Sequence, residues 1–435
     1  MSSKLHIENT GSKKTFVRIE KLVPGGDGLG HLDGKAVFVP LTAPGDLVSL
    51  RHVRRRKGVF FAEVEEVVEG ASSRREPPCP WFGDCGGCQW MHLDYPSQIH
   101  WKEEIFRQAM RGIAHLRERL PVLVHQAPGE FGYRFRARLQ IRGTAVGFYR
   151  RASDRVVSWE RCLLLPEALN GVTRQLRGFF KGNEPPPALE SCEIALSPVE
   201  RTVTLNWNFS NDREVGEAAR IIMDGMENLL SGGECVLAGQ AARNLRGTVL
   251  AERGRGLTLE IDGVRTTASP GTFFQVNPEV NAVLVRRVME HLRSEGSTSL
   301  LDLYCGNGNF SLASAAAGIR TVGVESSAGA VRDAVSRSVQ GSLFIAMDAA
   351  KYLEQDQEKP DAVIVDPPRT GLPSKVSSLL GERKVPLLIY VSCDPSTLAR
   401  DLARLTADGY HVCAMELFDM FPQSFHSEAL VVMKR

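Results

Sequence analysis

The sequence predicts an α/β protein in three parts: an OB-like β-barrel, a β-rich central region, and an open, mainly parallel α/β sheet. Three observations carry this reading. Residues 15–68 hold short β-like segments separated by Gly, Pro and Asp, as in "TFVRIEKL", "VPGGDGLGHLDG" and "KAVFVPL", and several strands in about 55 residues suit a small barrel. Residues 120–265 are patterned mostly as strands. From about residue 298, buried-strand segments alternate with helix-like stretches, the mark of βαβ units around a parallel sheet.

The 435 residues allow two or three domains, and 43% hydrophobic with 24% charged residues is ordinary for a globular chain. No apolar run approaches the roughly 20 residues of a membrane span, and "MSSKLHIENTGSKK" lacks the apolar core of a signal peptide. The expectation is a cytoplasmic protein with no membrane partner and no obligate protein partner evident. In a reducing compartment an odd set of nine cysteines, three of them clustered, favours metal binding or catalysis over disulfides. A net charge of +2 does not announce a nucleic-acid binder. The basic run "RHVRRRKG" (51–58) is more informative, since a basic loop on such a barrel can hold RNA or be a solvated charged hairpin.

"ASSRREPP" (71–78) reads as a linker, and "PSQIHWKEEIFRQAM" as a helix with Trp101, Ile105 and Ala109 four apart. In "YRFRARLQIR" (133–142), Arg134, Arg136, Arg138 and Arg142 alternate with Tyr133, Phe135, Ala137, Leu139 and Ile141. On a strand these arginines share one face, which calls for a compensating anion: a phosphate backbone or acidic cross-strand partners. Further on, "TSLLDLY", "TVGVE", "DAVIVD" and "PLLIYVS" are strand candidates, with two last β segments in "YHVCAMELF" and "EALVVMK". The expected domains are 1–70, 71–268 and 269–435.

Three constellations carry chemistry. "LLDLYCGNGNFSL" places Asp302 at a strand end, followed by Gly306, Gly308 and a helix, and glycines let a backbone approach a ligand closely. Glu325 closes the next strand, where a carboxylate grips ribose hydroxyls. The D-x-x-C-G-x-G form suits S-adenosylmethionine (SAM) better than a dinucleotide. Asp348 stands where a carboxylate could reach adenine, and equally where one caps a helix.

In "DAVIVDPPRTG", Asp366 ends a strand on a stiff Pro-Pro turn. Arg369 stands where exocyclic-amine methyltransferases carry a stacking aromatic, which argues against that chemistry. Cys393, in "PLLIYVSCDPSTLARDL", ends the next strand and so opens on the same crevice; Asp394 reads as an N-cap and Pro395 as the first helical residue. A helix N-terminus lowers a thiol's pKa, so the position suits a nucleophile, with packing as the competing explanation. Cys305 and Cys413 are better explained by packing. A thiolate beside SAM could add to C6 of a pyrimidine and make C5 nucleophilic; a base must then remove the C5 proton. Glu428 and His426 are the candidates.

The third constellation is "CPWFGDCGGC": Cys79, Cys85 and Cys88, spaced C-x5-C-x2-C, with Cys162 the best remaining fourth ligand. Four cysteines fit zinc or an iron–sulfur cluster, and spacing alone does not decide.

Together these residues resemble the RNA 5-methyluridine methyltransferase family, in particular its bacterial 23S ribosomal RNA members, over nearly the whole chain. The resemblance implies a Rossmann-like SAM-dependent methyltransferase domain, an N-terminal OB-like TRAM barrel that binds RNA, and a β-rich central iron–sulfur domain. It implies a [4Fe-4S] cluster on Cys79, Cys85, Cys88 and Cys162 in preference to zinc. "GTFFQVNP" resembles the motif opening the catalytic domain, so Gln275 is implied to contact SAM; Tyr304, Asn309, Glu325 and Asp366 are implied as further cofactor-site residues. "SCDP" resembles the nucleophile motif, with Cys393 as thiolate, and "HSEAL" the base motif, with Glu428 removing the C5 proton. The implied activity is uracil-C5 methylation of RNA, with 23S ribosomal RNA favoured over tRNA because simpler tRNA-specific relatives lack the barrel and the cysteines. A catalytically silent RNA-binding or ribosome assembly factor is the competing reading from another class. Cytosine C5 methylation is disfavoured, because its usual Pro-Cys is here Pro-Pro-Arg.

Overall fold

The computed structural model describes residues 14–113, 120–211, 215–231, 235–356 and 358–435; the leader-free reading of the N-terminus falls mainly on residues 1–13, outside the described residues. The chain forms two compact units: residues up to Gln108 with Phe421–Phe425, and Ala109–Met420 with His426–Arg435.

In the first unit, β1 (Thr15–Leu22), β2 (Gly28–Leu32), β3 (Lys35–Val39), β4 (Leu47–Arg56) and β5 (Val59–Glu69) close a barrel in the order β1-β2-β3-β5-β4. Period-two alternation turns Val17, Ile19, Val37, Val39, Val48, Leu50 and Ala62 inward. Gly30 permits the closure, because a Cβ there would stand 2.5 Å from the Arg18 carbonyl oxygen. The basic run lies along the exposed half of β4 rather than in a loop, and only Lys57 and Gly58 form the turn into β5. The segment read as a linker is pinned: buried Asp46 accepts from the Ala71 amide and from Arg74 Nε, both at 2.9 Å. α1 (Tyr95–Met110) begins after Asp94, whose side chain accepts from the Ser97 amide at 2.8 Å.

The second unit opens with β6 (Val122–His125). β7 (Arg136–Arg142), β8 (Ala145–Tyr149), β9 (Val156–Val157), α2 (Glu167–Gly182), β10 (Leu189–Leu196), β11 (Thr202–Phe209), α3 (Val215–Leu230), β12 (Val236–Asn244) and β13 (Val249–Gly254) follow. Their seven-stranded sheet runs β13-β12-β11-β10-β7-β8-β9. α2 and α3 are helices within a region the sequence presents as mostly β. The arginine strand starts at Arg136, so Arg134 falls outside it. Its charges meet acidic partners: Glu193 lies 3.0 Å from Arg136 and 3.8 Å from Arg138, and Glu190 lies 2.5 Å from Arg142. Of the two expected compensations, the cross-strand carboxylates are the one built into the fold.

A hairpin of β14 (Leu257–Ile261) and β15 (Val264–Ala268) leads to α4 (Pro278–Ser294). Then come β16 (Ser299–Leu303), α5 (Ser311–Ala316), β17 (Arg320–Glu325), α6 (Ala328–Val335), β18 (Ser342–Ala346), α7 (Ala349–Gln355), β19 (Ala362–Val365), α8 (Ser374–Arg383), β20 (Leu387–Ser392), α9 (Pro395–Ala407), β21 (His411–Phe418) and β22 (Glu428–Lys434). They build an eight-stranded sheet, β18-β17-β16-β19-β20-β22-β21-β6. β18, β17, β16, β19 and β20 are parallel and β22 is antiparallel to both its neighbours. β6, from a segment assigned to the central region, pairs with β21 at the sheet's edge. β19 and the mainly apolar β20 are fully buried, as expected where helices cover both faces.

Candidate active site

The parallel strands deliver their carboxyl ends to one rim, where ligands of open α/β sheets sit. On one side lies the glycine turn after β16. Tyr304 takes φ +65°, and its amide and that of Cys305 both donate to the Val324 carbonyl, at 2.9 and 3.2 Å. Gly306 and Gly308 follow at φ +55° and +89°. A Cβ on Gly308 would meet Leu312 at 2.9 Å, whereas the space beside Gly306 is open. Glu325 spans the turn: its carboxylate accepts from the Gly306 amide at 3.3 Å and the Ser327 amide at 2.7 Å.

Beneath it, Asp302 is fully buried; one carboxyl oxygen accepts from the Ser311 hydroxyl at 2.5 Å and the other has no hydrogen-bond partner among the described residues. Burial, with Glu325 adding, pushes this carboxyl up to about 7. Burial likewise pushes the Tyr304 phenol up to about 12, with Asp348, Asp401 and Glu325 adding. The orphaned buried oxygen, the open space at Gly306 and the carboxylate ending β17 together fit SAM.

The other expected cofactor residues divide. Gln275 is buried on the segment leading into α4. Asn309 spends its amide on Asn281 of α4 in a reciprocal pair, at 2.8 and 3.1 Å. Asp348 caps α7, one carboxylate oxygen accepting from the Lys351 amide at 3.1 Å.

On the other side of the rim, Asp394 caps α9 by accepting from the Ser396 and Thr397 amides at 3.0 and 2.9 Å, with Pro395 in the first turn. The cap fixes Cys393 just past β20. Ser392 pairs with Ala429, so the next residues outward, Cys393 and Glu428, face each other. The thiol is only partly exposed, and the charged groups that act on it are Glu428, Asp366 and Arg369.

The helix terminus was expected to depress the thiol's pKa. Instead burial, with Glu428 and Asp366 adding, pushes it up to about 12, and Arg369 opposes them. Desolvation and two neighbouring carboxyls outweigh a half-charge at a helix end. Burial and Asp366 raise Glu428 well above the ordinary carboxyl range, with Arg369 opposing. Burial and Asp302 push Asp366 up to about 7. Cys305 packs in an apolar cluster with Leu312, Val331, Ala334 and Phe344; Cys413, also read as a packing residue, is exposed on the register-shifted stretch of β21.

Cys79, Cys85 and Cys88 lie half-buried on a loop of tight turns, in which the Phe82 amide donates to the Cys79 carbonyl and the Cys85 amide to that of Trp81. Three thiols are a soft donor set suited to a sulfur-binding metal, but no group of three or more His, Cys, Asp or Glu residues forms a metal site among the described residues. In the second unit, Cys162 exchanges backbone hydrogen bonds with the buried Asn170 side chain at 2.8 and 3.1 Å.

The family model described as tRNA (Uracil-5-)-methyltransferase matches residues 258–342 and 346–435, and the tRNA (uracil(54)-C(5))-methyltransferase TRAM domain matches 17–72. A relative from Aquifex aeolicus named "Uncharacterized RNA methyltransferase" is 32% identical, over 97% of this chain and 99% of its own. The chain belongs to the RNA uracil-5-methyltransferase family. A Pseudomonas aeruginosa member named "23S rRNA (uracil(1939)-C(5))-methyltransferase RlmD" is 31% identical, over 97% of this chain and 94% of its own. The fold matches the crystal structure of Pyrococcus abyssi tRNA (uracil-54, C5)-methyltransferase in complex with S-adenosyl-L-homocysteine, with TM-score 0.75 and 23% identity over 96% of this chain and 99% of that one. As a family member the protein is a SAM-dependent RNA uracil-C5 methyltransferase whose N-terminal barrel is TRAM-like. One expectation changes: the barrel does not separate ribosomal RNA from tRNA enzymes, since it matches the TRAM domain of a tRNA family.

Sequence reasoning named Arg369 only as a missing aromatic and passed over Asp401. The placement of Arg369 beside the thiol brings together segments distant in sequence, which no local motif spells out. Asp401, four residues after Thr397 and one after Arg400, lies on a helix face that periodicity could have marked.

Proposed function

We propose that this enzyme methylates uracil C5 in 23S ribosomal RNA, with Cys393 as nucleophile and Glu428 as base. The observation that carries the assignment is the juxtaposition of the Cys393 thiol with Glu428, Asp366 and Arg369 at the carboxyl rim of the sheet. Relatives bearing the 23S name align along almost their whole length, which supports that substrate. Gln275, Tyr304, Asn309, Glu325, Asp348 and Asp366 are the residues proposed to hold SAM, which supplies an electrophilic methyl group.

The target base is flipped out of its stack, since C6 must meet the thiol while C5 faces the methyl donor. The Cys393 thiol gives up its proton and its sulfur bonds to C6; the displaced π electrons make C5 nucleophilic, and C5 takes the methyl group as the methyl–sulfonium bond of SAM breaks and S-adenosylhomocysteine leaves. Glu428 takes the C5 proton, the C5–H electrons restore the double bond, and the C6–S bond breaks to return the thiolate. A carboxyl with raised proton affinity suits removal of a carbon-bound proton. Arg369 is the cation that offsets thiolate charge in this otherwise acidic corner.

We also propose a [4Fe-4S] cluster on Cys79, Cys85 and Cys88, supported by three thiols on one short loop; Cys162 as fourth ligand rests on the resemblance. Iron content and visible absorbance of anaerobically purified protein test it. A Cys85→Ala variant that keeps both rejects the ligand set.

The deciding experiment for the main reading uses RNA carrying 5-fluorouridine, which has no C5 proton to lose. A denaturation-resistant adduct on ribosomal RNA with wild type but not with Cys393→Ala supports the proposal, and sequencing the trapped RNA names the site. An adduct on tRNA alone moves the substrate. Adduct with neither, SAM binding being intact, rejects the nucleophile.

A further inference from the structure

The helix that follows the proposed nucleophile also grips the loop that faces it. Thr397, Arg400 and Asp401 stand three and four residues apart, on one face of α9. The Thr397 hydroxyl donates to the Arg369 carbonyl at 3.2 Å, and Arg400 Nη2 donates to the Thr370 carbonyl at 2.8 Å. Asp401, fully buried, accepts from the Leu372 amide at 2.7 Å and from the Tyr390 hydroxyl at 2.8 Å. Arg400 Nε closes the set at 2.9 Å from Asp401 Oδ1, with Arg404 at 3.4 Å. Gly371, at φ +73°, brings its backbone against Asp401 and Arg400 where a side chain would collide with both.

Backbone groups of residues 369, 370 and 372 are therefore held by one helix face, and Arg369 is a charged neighbour of the Cys393 thiol. The same helix is anchored at its start by the Asp394 cap, one residue from that thiol. α9 thus anchors both the loop that carries Arg369 and the residue that follows Cys393.

We propose that Arg400 and Asp401 are positioning residues for the reaction: they set the Arg369 loop so that its guanidinium meets the Cys393 thiol. This rests on the reading of Cys393 as the nucleophile. The charged and titratable groups facing the thiol are Glu428 from β22, Asp366 and Arg369 from the loop; those acting on or with Asp401 are Arg400, Arg404, Tyr390 and Tyr304. Arg369 is the cation among the thiol's neighbours, so a loop shifted by about an ångström weakens thiolate stabilisation and misplaces the nucleophile.

The test compares full-length Arg400→Ala, Arg400→Lys, Asp401→Asn and Arg369→Ala with wild type. It measures Cys393 alkylation by iodoacetamide at a fixed mildly alkaline pH, quantified on the Cys393 peptide, with kcat, KM for SAM and thermal unfolding. Arg400→Ala and Asp401→Asn are expected to slow alkylation and lower kcat by about tenfold, in the direction set by Arg369→Ala, with KM for SAM nearly unchanged. Arg400→Lys should recover part of both. Arg400 is largely on the surface, so its variant remains informative if Asp401→Asn does not fold. Wild-type alkylation and kcat in Arg400→Ala, alongside losses in Arg369→Ala, overturn the positioning role and leave the nucleophile standing. Turnover retained by Cys393→Ala rejects the nucleophile itself.

Discussion

Glu428 stands across the β20–β22 ladder from Cys393, one step beyond the Ser392–Ala429 pair. Glu428 opens β22 and Cys393 follows the last residue of β20, so the antiparallel pairing of the two strands and the Asp394 cap together set their spacing. Neither is a free-standing acid: burial and Glu428 raise the thiol, burial and Asp366 raise Glu428, and Arg369 offsets both.

That pairing separates addition from elimination. Glu428→Gln keeps the shape but cannot take the C5 proton, so turnover should fall about 10²–10⁴-fold. Ordinary uridine RNA with SAM should then accumulate a denaturation-resistant methylated adduct, visible as a shifted band. An inactive variant that forms no such adduct would assign Glu428 to an earlier step.

The thiol itself should be quiet before RNA binds. Burial, Glu428 and Asp366 raise its pKa to about 12, which lowers the thiolate fraction at any given pH. Alkylation of Cys393 at neutral pH should be at least about 100-fold slower than that of exposed Cys413 in the same molecule, rising with pH. Equal rates in the RNA-free enzyme would mean the thiolate is already stabilised there.

Asp302 carries a cost in the free protein. Its folded pKa, near 7, lies above the unfolded value, so the stability it permits is complete in acid and is lost as pH rises through about 7. Asp302→Asn keeps an acceptor for the Ser311 hydroxyl and removes the charge. It should raise stability by on the order of 3 kcal/mol at mildly alkaline pH, and less in mild acid. Calorimetry across pH reads this, and SAM affinity should fall in the same variant. A melting temperature that does not rise would place a compensating partner at the orphaned oxygen.

These sites differ in how far the sequence announced them. Cys393, Asp394 and Pro395 form a local strand–cap–helix signature, and Asp302 to Gly308 a local strand–turn–helix one; short-range rules suffice for both. β18 was missed because an edge strand with Leu343 56% exposed lacks a buried strand's pattern. α2 and α3 were missed in a region read for alternation, although each turns one apolar face inward at helical spacing. Arg369 beside Cys393, and Glu193 answering Arg136 and Arg138, bring together strands or loops distant in sequence. Composition shows the need for a partner there, while register decides which partner is supplied.

The same register redirects the search for RNA contacts. Arg136 is mostly buried against Glu193, so Arg136→Glu should destabilise the fold by about 3–5 kcal/mol, not merely raise KM for RNA. Arg54, Arg55 and Arg56 are exposed on β4. Replacing all three with Ala should leave the melting temperature nearly unchanged, raise KM for RNA, and flatten the salt dependence of binding by about 0.7–0.9 per lost phosphate contact. An unchanged salt slope would remove this strand from the RNA-binding surface.

Glu416 offers a last test, remote from the chemistry. Fully buried on β21, it meets His125 of β6 and His291 of α4, each at 2.7 Å, and receives Arg287 Nε and Nη2 at 2.7 and 2.8 Å. Burial would raise its pKa, but these hydrogen bonds and the Arg287 charge hold it well below the ordinary carboxylate range. A depressed carboxyl stabilises the fold above its unfolded pKa, and that contribution is lost as pH falls. Glu416→Gln leaves Arg287 without its buried counter-charge and should cost about 3–5 kcal/mol at neutral pH. The loss should shrink as the medium is acidified, because wild type then forfeits the same contribution. kcat per folded molecule should stay near wild type at a temperature where the variant is folded. A variant that melts like wild type at neutral pH would show that β6, α4 and β21 are held by apolar packing alone.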